Sequence, residues 1–82
     1  MERMHPDLYH LMTHAVRQAE KALARGEVPV GAVVATLEGK IVAEAHNQPI
    51  ALRDPSAHAE ILAMRKAGSL CDNYRLNNAI LV

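Results

Sequence analysis

The run Val30-Gly31-Ala32-Val33-Val34-Ala35-Thr36-Leu37 carries no charge and shows no alternation of apolar with polar side chains. A short β-branched run that is apolar on both sides reads as a strand buried on both faces. Such a strand needs a covering layer above and below, so the chain must supply helices for a sheet. Pro29 stands at the start of the run, where a missing N–H is tolerated.

The flanking segments supply those layers. Apolar residues at Leu8, Leu11, Met12, Ala15, Val16, Ala19, Ala22 and Leu23 follow the three-and-four spacing of an amphipathic helix, and Gly26 is its natural stop. Glu38 and Gly39 read as a tight turn into a second strand, Lys40 to His46, in which Ile41, Ala43 and Ala45 alternate with Val42, Glu44 and His46. The two strands are expected to form an antiparallel hairpin. Asn47 to Arg53 lacks periodicity and contains Pro49, so a loop is expected there. Asp54-Pro55 predicts a helix start, running to about Ala67 with Gly68 as its end and Ala57, Ile61, Met64 and Ala67 on its buried side. A polar connection, Ser69 to Asn78, then leads to a third strand at Ala79 to Val82. The order helix, hairpin, helix, strand predicts an α/β fold with helices on a mixed sheet, a right-handed crossover into the third strand, and an open edge on that strand.

At 82 residues the chain is one small domain, and a domain of this size buries only about 60% of its unfolded surface. Its net charge is zero, so no overall basic field announces a nucleic-acid partner, though a local patch is compatible with that balance. There is no Phe or Trp, and Tyr9 and Tyr74 are the only aromatic residues of the Phe, Tyr and Trp class, which speaks against an aromatic stacking platform. Met1 to Pro6 carries charges instead of an apolar signal core, and the longest apolar stretch, Val28 to Leu37, is about half a membrane span, so a soluble cytoplasmic chain is expected. The single cysteine, Cys71, excludes an internal disulfide.

Chemistry concentrates in Asp54-Pro55-Ser56-Ala57-His58-Ala59-Glu60. His58 and Glu60 fall at the head of the predicted second long helix, where the macrodipole is positive and backbone donors are unpaired. An imidazole there can bind a metal, and a carboxylate two residues on approaches a water from another direction, as suits one ligand and one acid/base group. By itself His-x-Glu is a weak signal and is met in many capped helices. His10 and His14 stand four apart on the polar face of the first helix beside Arg17 and Gln18, and that face, like the stripe Arg17, Lys21 and Arg25, is expected to be solvated.

The wider pattern is more specific. Glu27-Val28-Pro29-Val30-Gly31-Ala32-Val33-Val34, Ala45-His46-Asn47-Gln48-Pro49-Ile50, the Asp54 to Glu60 block and Asn73-Tyr74-Arg75-Leu76 occur in one order across nearly the whole chain. In that order they resemble the tRNA-specific adenosine deaminase family of the cytidine-deaminase-like superfamily. The resemblance implies a three-layer α/β/α fold, with residues 1–82 as the N-terminal part of a single CMP/dCMP-type deaminase domain. It implies that His58 is a zinc ligand and that Glu60 is the catalytic glutamate, which moves protons among the attacking water, the ring nitrogen and the leaving amine in the mechanism established for zinc base deaminases. It places Asn47 in the nucleoside pocket and Val30 and Gly31 in the pocket wall. The expected cofactor is Zn2+, the expected substrate adenosine in tRNA, and the expected assembly of the complete protein a homodimer.

The family's remaining zinc ligands come from a Pro-Cys-x-x-Cys helix after the third strand, and no such motif occurs in these 82 residues. Cys71 precedes that strand and is expected to be structural or incidental. Catalytic zinc sites normally use three protein ligands, so this chain alone is expected to be an inactive fragment of a longer deaminase. Two alternatives stand beside this reading. One is a deaminase of a free base or nucleotide, such as guanine, cytosine or dCMP, since these groups share the His-Ala-Glu block. The other is a non-catalytic module built on the deaminase fold.

Overall fold

A computed structural model describes residues 8–71 and 79–82, with the side chains of Cys71 and Ala79 outside that description. His5, the Asn73 to Leu76 block and most of the expected polar connection also lie outside the described residues. The elements are α1 (Leu8–Ala24), β1 (Gly31–Thr36), β2 (Ile41–His46), α2 (Pro49–Leu52), α3 (Ala59–Cys71) and β3 (Ala79–Leu81).

The uncharged run becomes the central strand β1, and Ala32, Val33, Val34 and Ala35 are each no more than 3% exposed. On one face, Leu11 and Ala15 of α1 meet Val33 and Ala35, with Ile41 and Val82 beside them. On the other, Ala59, Ala63 and Ala67 of α3 meet Ala32, Val34, Ala43 and Ala45. These are the three layers of an α/β/α fold, as expected. The core is built mainly from alanines, and Leu11, Val33 and Val34 are its largest fully buried side chains. Burying a Val or Leu side chain contributes about 1.5–3 kcal/mol, so close approach of the layers matters more here than bulk. Gly31 marks the closest approach. A Cβ there would meet the Ala15 carbonyl oxygen and lie 2.7 Å from the Ala19 nitrogen and the Gln18 Cβ.

The sheet has the order β2-β1-β3, and both pairings are antiparallel among the described residues, not mixed. β1 divides its backbone groups between its neighbours, so that Val33 and Val82 exchange both N–H to O bonds at 2.9 Å and extend the β3 ladder. β2 and β3 therefore run in the same direction with β1 between them and α3 in the connection. The outer edge of β2 is partly closed by Lys66, whose Nζ donates to the Glu44 carbonyl at 3.1 Å.

The hairpin turn is longer than the expected two-residue turn. Thr36 N–H donates to the Lys40 carbonyl at 2.8 Å, leaving Leu37, Glu38 and Gly39 as a three-residue loop with Gly39 at φ +91°. A register shift between Val34 and Ala35 accommodates it.

α1 keeps its expected bounds, but its buried face is narrower than the apolar spacing predicts. Leu11, Ala15, Gln18 and Ala22 are buried, while Leu8, Met12, Val16 and Leu23 are exposed. The small side chains win the inward positions because the sheet lies so close. The helix ends in a Schellman motif: Gly26, at φ +76°, donates to Leu23 at 3.1 Å, and Glu27 donates to Ala22 at 3.0 Å.

Two further expectations are corrected. Asn47 to Arg53 is not all loop, because Pro49–Leu52 forms a single helical turn closed by Arg53 in the left-handed region at φ 52°. The next helix starts at Ala59, not Pro55, since Asp54 spends its carboxylate on a local turn. It then continues through Gly68 to Cys71. Glycine inside a helix costs only about 1 kcal/mol relative to Ala, which the packing of α3 on the sheet outweighs. Its inward row is Ala59, Ala63 and Ala67, with Ala57 buried just before the helix and Ile61 and Met64 only partly covered. Among the described residues no helix is long and apolar enough to cross a membrane.

Candidate active site at the head of α3

The segment before α3 is shaped by its own polar side chains. Asp54 Oδ1 accepts from the Ser56 backbone N–H at 2.9 Å and from the Ser56 hydroxyl at 2.7 Å. These two bonds, the hydroxyl's first, hold the Asp54 carboxyl below its ordinary 3.8, with a smaller contribution from the charges of Arg65 and His58. Ala57 N–H then returns to the Asp54 carbonyl at 3.0 Å, and His58 N–H to Ser56 at 2.8 Å. The chain thus enters α3 with His58 as the capping residue, its carbonyl accepting from Leu62 at 3.0 Å.

The first helical N–H is satisfied from a distance. Asn47 is buried, and its Oδ1 accepts the Ala59 N–H at 2.8 Å. The backbone around it is tied on both sides, Asn47 N–H to the Val30 carbonyl at 3.0 Å and Gln48 N–H to the Ala57 carbonyl at 2.9 Å. Three segments far apart in sequence are stitched together in this way. Val30, Asn47 and Ala59 lie along one hydrogen-bonded path, with His58 and Glu60 on either side of the residue that Asn47 holds. Both side chains are exposed to solvent, and neither makes a hydrogen bond among the described residues. Gly31 is adjacent in sequence, but its Cα is pressed against α1. Val30 is 40% exposed and is the side chain of that pair available to a pocket.

The other described histidines stand elsewhere. His14 Nδ1 lies 3.4 Å from Glu44 Oε1, which also accepts from Gln18 Nε2 at 3.3 Å, and the His10 and His14 rings meet edge to face at 4.8 Å. His46 is buried, its Nδ1 3.2 Å from the Asn47 carbonyl. An open cleft beside β2, lined by residues including Gln18, Glu44, Lys66 and Leu70, includes none of the candidate site residues.

Glu27 opens the first motif block, but its role is not legible there. This carboxylate is 5% exposed and accepts the Ile50 N–H at 3.1 Å through Oε1 and the Ala51 N–H at 2.8 Å through Oε2. Its place at the head of that block is a signal, while its position immediately after the helix-ending glycine makes it look like an ordinary surface group.

No three His, Cys, Asp or Glu side chains converge on a metal position among the described residues. His58 offers one free imidazole at a helix head with a carboxylate beside it, which fits one ligand and one proton-transfer group of a zinc centre. It does not make a complete donor set.

A three-layer α/β/α domain with an exposed His-x-Glu at the head of a sheet-packed helix has the architecture of the zinc base deaminases. Residues 6–82 match the family described as cytidine and deoxycytidylate deaminase zinc-binding region, and the chain belongs to that family. It is 45% identical over 71 residues to the tRNA-specific adenosine deaminase of Haemophilus influenzae, covering 87% of this chain and 41% of that protein. A solved structure from studies of A-to-I editing by tRNA:A34 deaminases superposes with a TM-score of 0.85 at 38% identity, over 89% of this chain and 52% of the other. The guanine deaminase of Bacillus subtilis superposes with a TM-score of 0.83 at 36% identity, over 89% and 46%. The chain therefore spans about half the length of these relatives or less.

Proposed function

We propose that this chain is the His-x-Glu portion of a zinc-dependent deaminase that converts adenosine to inosine in tRNA. The observation that carries the reading is the bond from Ala59 N–H to Asn47 Oδ1, which holds an asparagine, an exposed histidine and an exposed glutamate in fixed relation. The likeness to the Haemophilus tRNA-specific adenosine deaminase supports the choice of substrate.

His58 would supply one imidazole to zinc, and the other ligands come from outside the described residues. Zinc, when bound, lowers the pKa of a water to about 7. Glu60 takes a proton from the attacking water as the C6–O bond forms. It passes that proton to the ring nitrogen, then takes the proton of the new C6 hydroxyl and passes it to the departing amine, so that the C6 carbonyl forms, the C6–N bond breaks and ammonia leaves. Asn47, already fixed by its cap, borders the base, and Val30 offers an apolar wall. The same reading carries a cytoplasmic homodimer; sedimentation of the complete protein tests the dimer and cell fractionation its location.

Likeness to the Bacillus guanine deaminase supports a second reading, a free base as substrate. The experiment joins this chain to the remaining half of the Haemophilus enzyme. It measures zinc per chain and hydrolysis of tRNA adenosine, guanine and cytosine, with His58→Ala and Glu60→Gln as controls. Stoichiometric zinc lost in His58→Ala, with tRNA adenosine consumed and Glu60→Gln inert, is expected. Turnover of guanine or cytosine alone would overturn the tRNA assignment.

A further inference from the structure

α2 is an element without visible means of support. It has four residues, buries none of them, and lies far below the length at which a helix persists in water. Its Ile50 is 71% exposed and Leu52 50% exposed, so no core holds it. Its end requires Arg53 in the left-handed region, which a non-glycine residue adopts at some cost.

Two anchors hold it: the Gln48 N–H, bonded to the Ala57 carbonyl at 2.9 Å at its start, and Glu27 along its first turn. The Schellman motif at the end of α1 fixes the Glu27 backbone through its bond to Ala22, and the buried carboxylate takes the second and third N–H groups of α2, one on each oxygen. Pro49 needs no partner at the first position. Hydrogen bonds to a charged acceptor are roughly twice as strong as neutral ones. The segment so clamped begins next to Asn47, the residue that caps α3 between His58 and Glu60. The clamped turn therefore stands in the chain directly beside the candidate site, with Ile50 and Leu52 exposed among the described residues.

We infer that Glu27 is a positioning residue: its carboxylate clamps residues 48–53 as a preformed border of the substrate pocket. This rests on the deaminase reading above. Without the clamp the segment samples other conformations, and apparent affinity falls by the fraction still competent to bind. Chemistry in the bound complex, performed from α3, is spared. Loss of the clamp thus raises KM and leaves kcat.

The test compares Glu27→Ala and Glu27→Gln with the parent enzyme carrying this chain. Amide hydrogen exchange is followed at Ile50 and Ala51, and kinetics on whichever of tRNA adenosine, guanine or cytosine the parent hydrolyses. In Glu27→Ala both amides exchange at least about tenfold faster and KM rises about tenfold, with kcat within about twofold. Glu27→Gln, which keeps one acceptor oxygen and the volume, falls between. Should Glu27→Ala loosen the sheet amides as well, the Gln variant carries the comparison. Unchanged exchange at Ile50 and Ala51 overturns the clamp. Faster exchange with unchanged KM, or with kcat falling instead, overturns the positioning role. A parent that hydrolyses none of the three substrates refutes the deaminase reading separately, and exchange still decides the clamp.

Discussion

Replacing Gly31 by Ala adds one methyl group where the structure has no room for it. The new Cβ would collide with the carbonyl oxygen of Ala15 and sit 2.7 Å from both the Ala19 nitrogen and the Gln18 Cβ. Two of these three atoms belong to the backbone of α1, so no rotamer change relieves the contact, and the helix must move off the sheet. That movement opens the layer where Leu11 and Ala15 meet Val33 and Ala35. Overpacking costs about 1–3 kcal/mol and more when backbone must shift, so about 3 kcal/mol is expected. Total stability for 82 residues is roughly 4–12 kcal/mol. Each kcal/mol moves the melting temperature of a domain this size by about 4–8 °C, and a fall of about 12–24 °C should be read by thermal circular dichroism. Gly26→Ala is the control, because its Cβ would meet nothing within 4 Å and only the positive φ of +76° is strained. That strain costs about 1–2 kcal/mol. A Gly31→Ala melt within about 4 °C of the parent, or a larger loss at Gly26, would refute the packing argument and return Gly31 to the pocket wall.

Asn47→Ala removes the cap of α3 and is expected to cost about 1–2 kcal/mol by urea unfolding, whereas Asn47→Asp keeps an acceptor for Ala59 N–H and holds stability near the parent's while losing the amide donor. Equal stability in the two variants would mean the cap contributes nothing. Asp54 has a lowered folded pKa, so whatever it contributes to stability is present above its unfolded value near 3.8 and is lost as pH falls through the folded value. Ser56→Ala removes the largest of the causes, and the Asp54 titration followed by carboxyl NMR should move up toward 3.8; an unmoved titration would show that the hydroxyl is not the main cause.

Where chain periodicity and burial coincide, the fold was legible from residues alone. The doubly apolar β1 could be nothing but a central strand, and Gly26 ended α1 where a positive φ was needed. Boundaries failed where side chains choose among equivalent local bonds. Asp54 is as good a helix cap as a turn former, and only the arrival of Asn47 from another segment decides that the cap of α3 comes from there. The exposed stripe on α1 failed for a related reason: spacing marks an apolar face but not which part of it lies nearest the sheet, and a core of alanines selects small residues. At the site, the sequence alone brings His58 and Glu60, two residues apart, to one helix head. The role of Glu27 was not legible, since its two bonds cross more than twenty residues and nothing near it hints at burial.

The connections among these residues explain why the motif blocks sit so far apart. The Schellman turn at Gly26 sets Glu27, and Glu27 sets α2. Asn47, one residue beyond β2, reaches from the sheet to the first N–H of α3. His58 and Glu60 are thereby referenced to both faces of the sheet at once, through α1 on one side and α3 on the other. A rigid pair could be built within one helix by a four-residue spacing. The two-residue spacing found here points the two side chains in different directions, and in the proposed roles of ligand and proton-transfer group such a pair would keep its relation to a base only if the helix head is fixed against the neighbouring loop. The distant blocks therefore fix the helix head and the neighbouring loop through two separate anchors, Asn47 and Glu27. The expected outcome is that Asn47 and Glu27 variants alter substrate binding by separate routes, with additive effects on log KM. Strong coupling between them in a double-mutant cycle would refute separate routes and make α2 and the α3 cap a single cooperative unit.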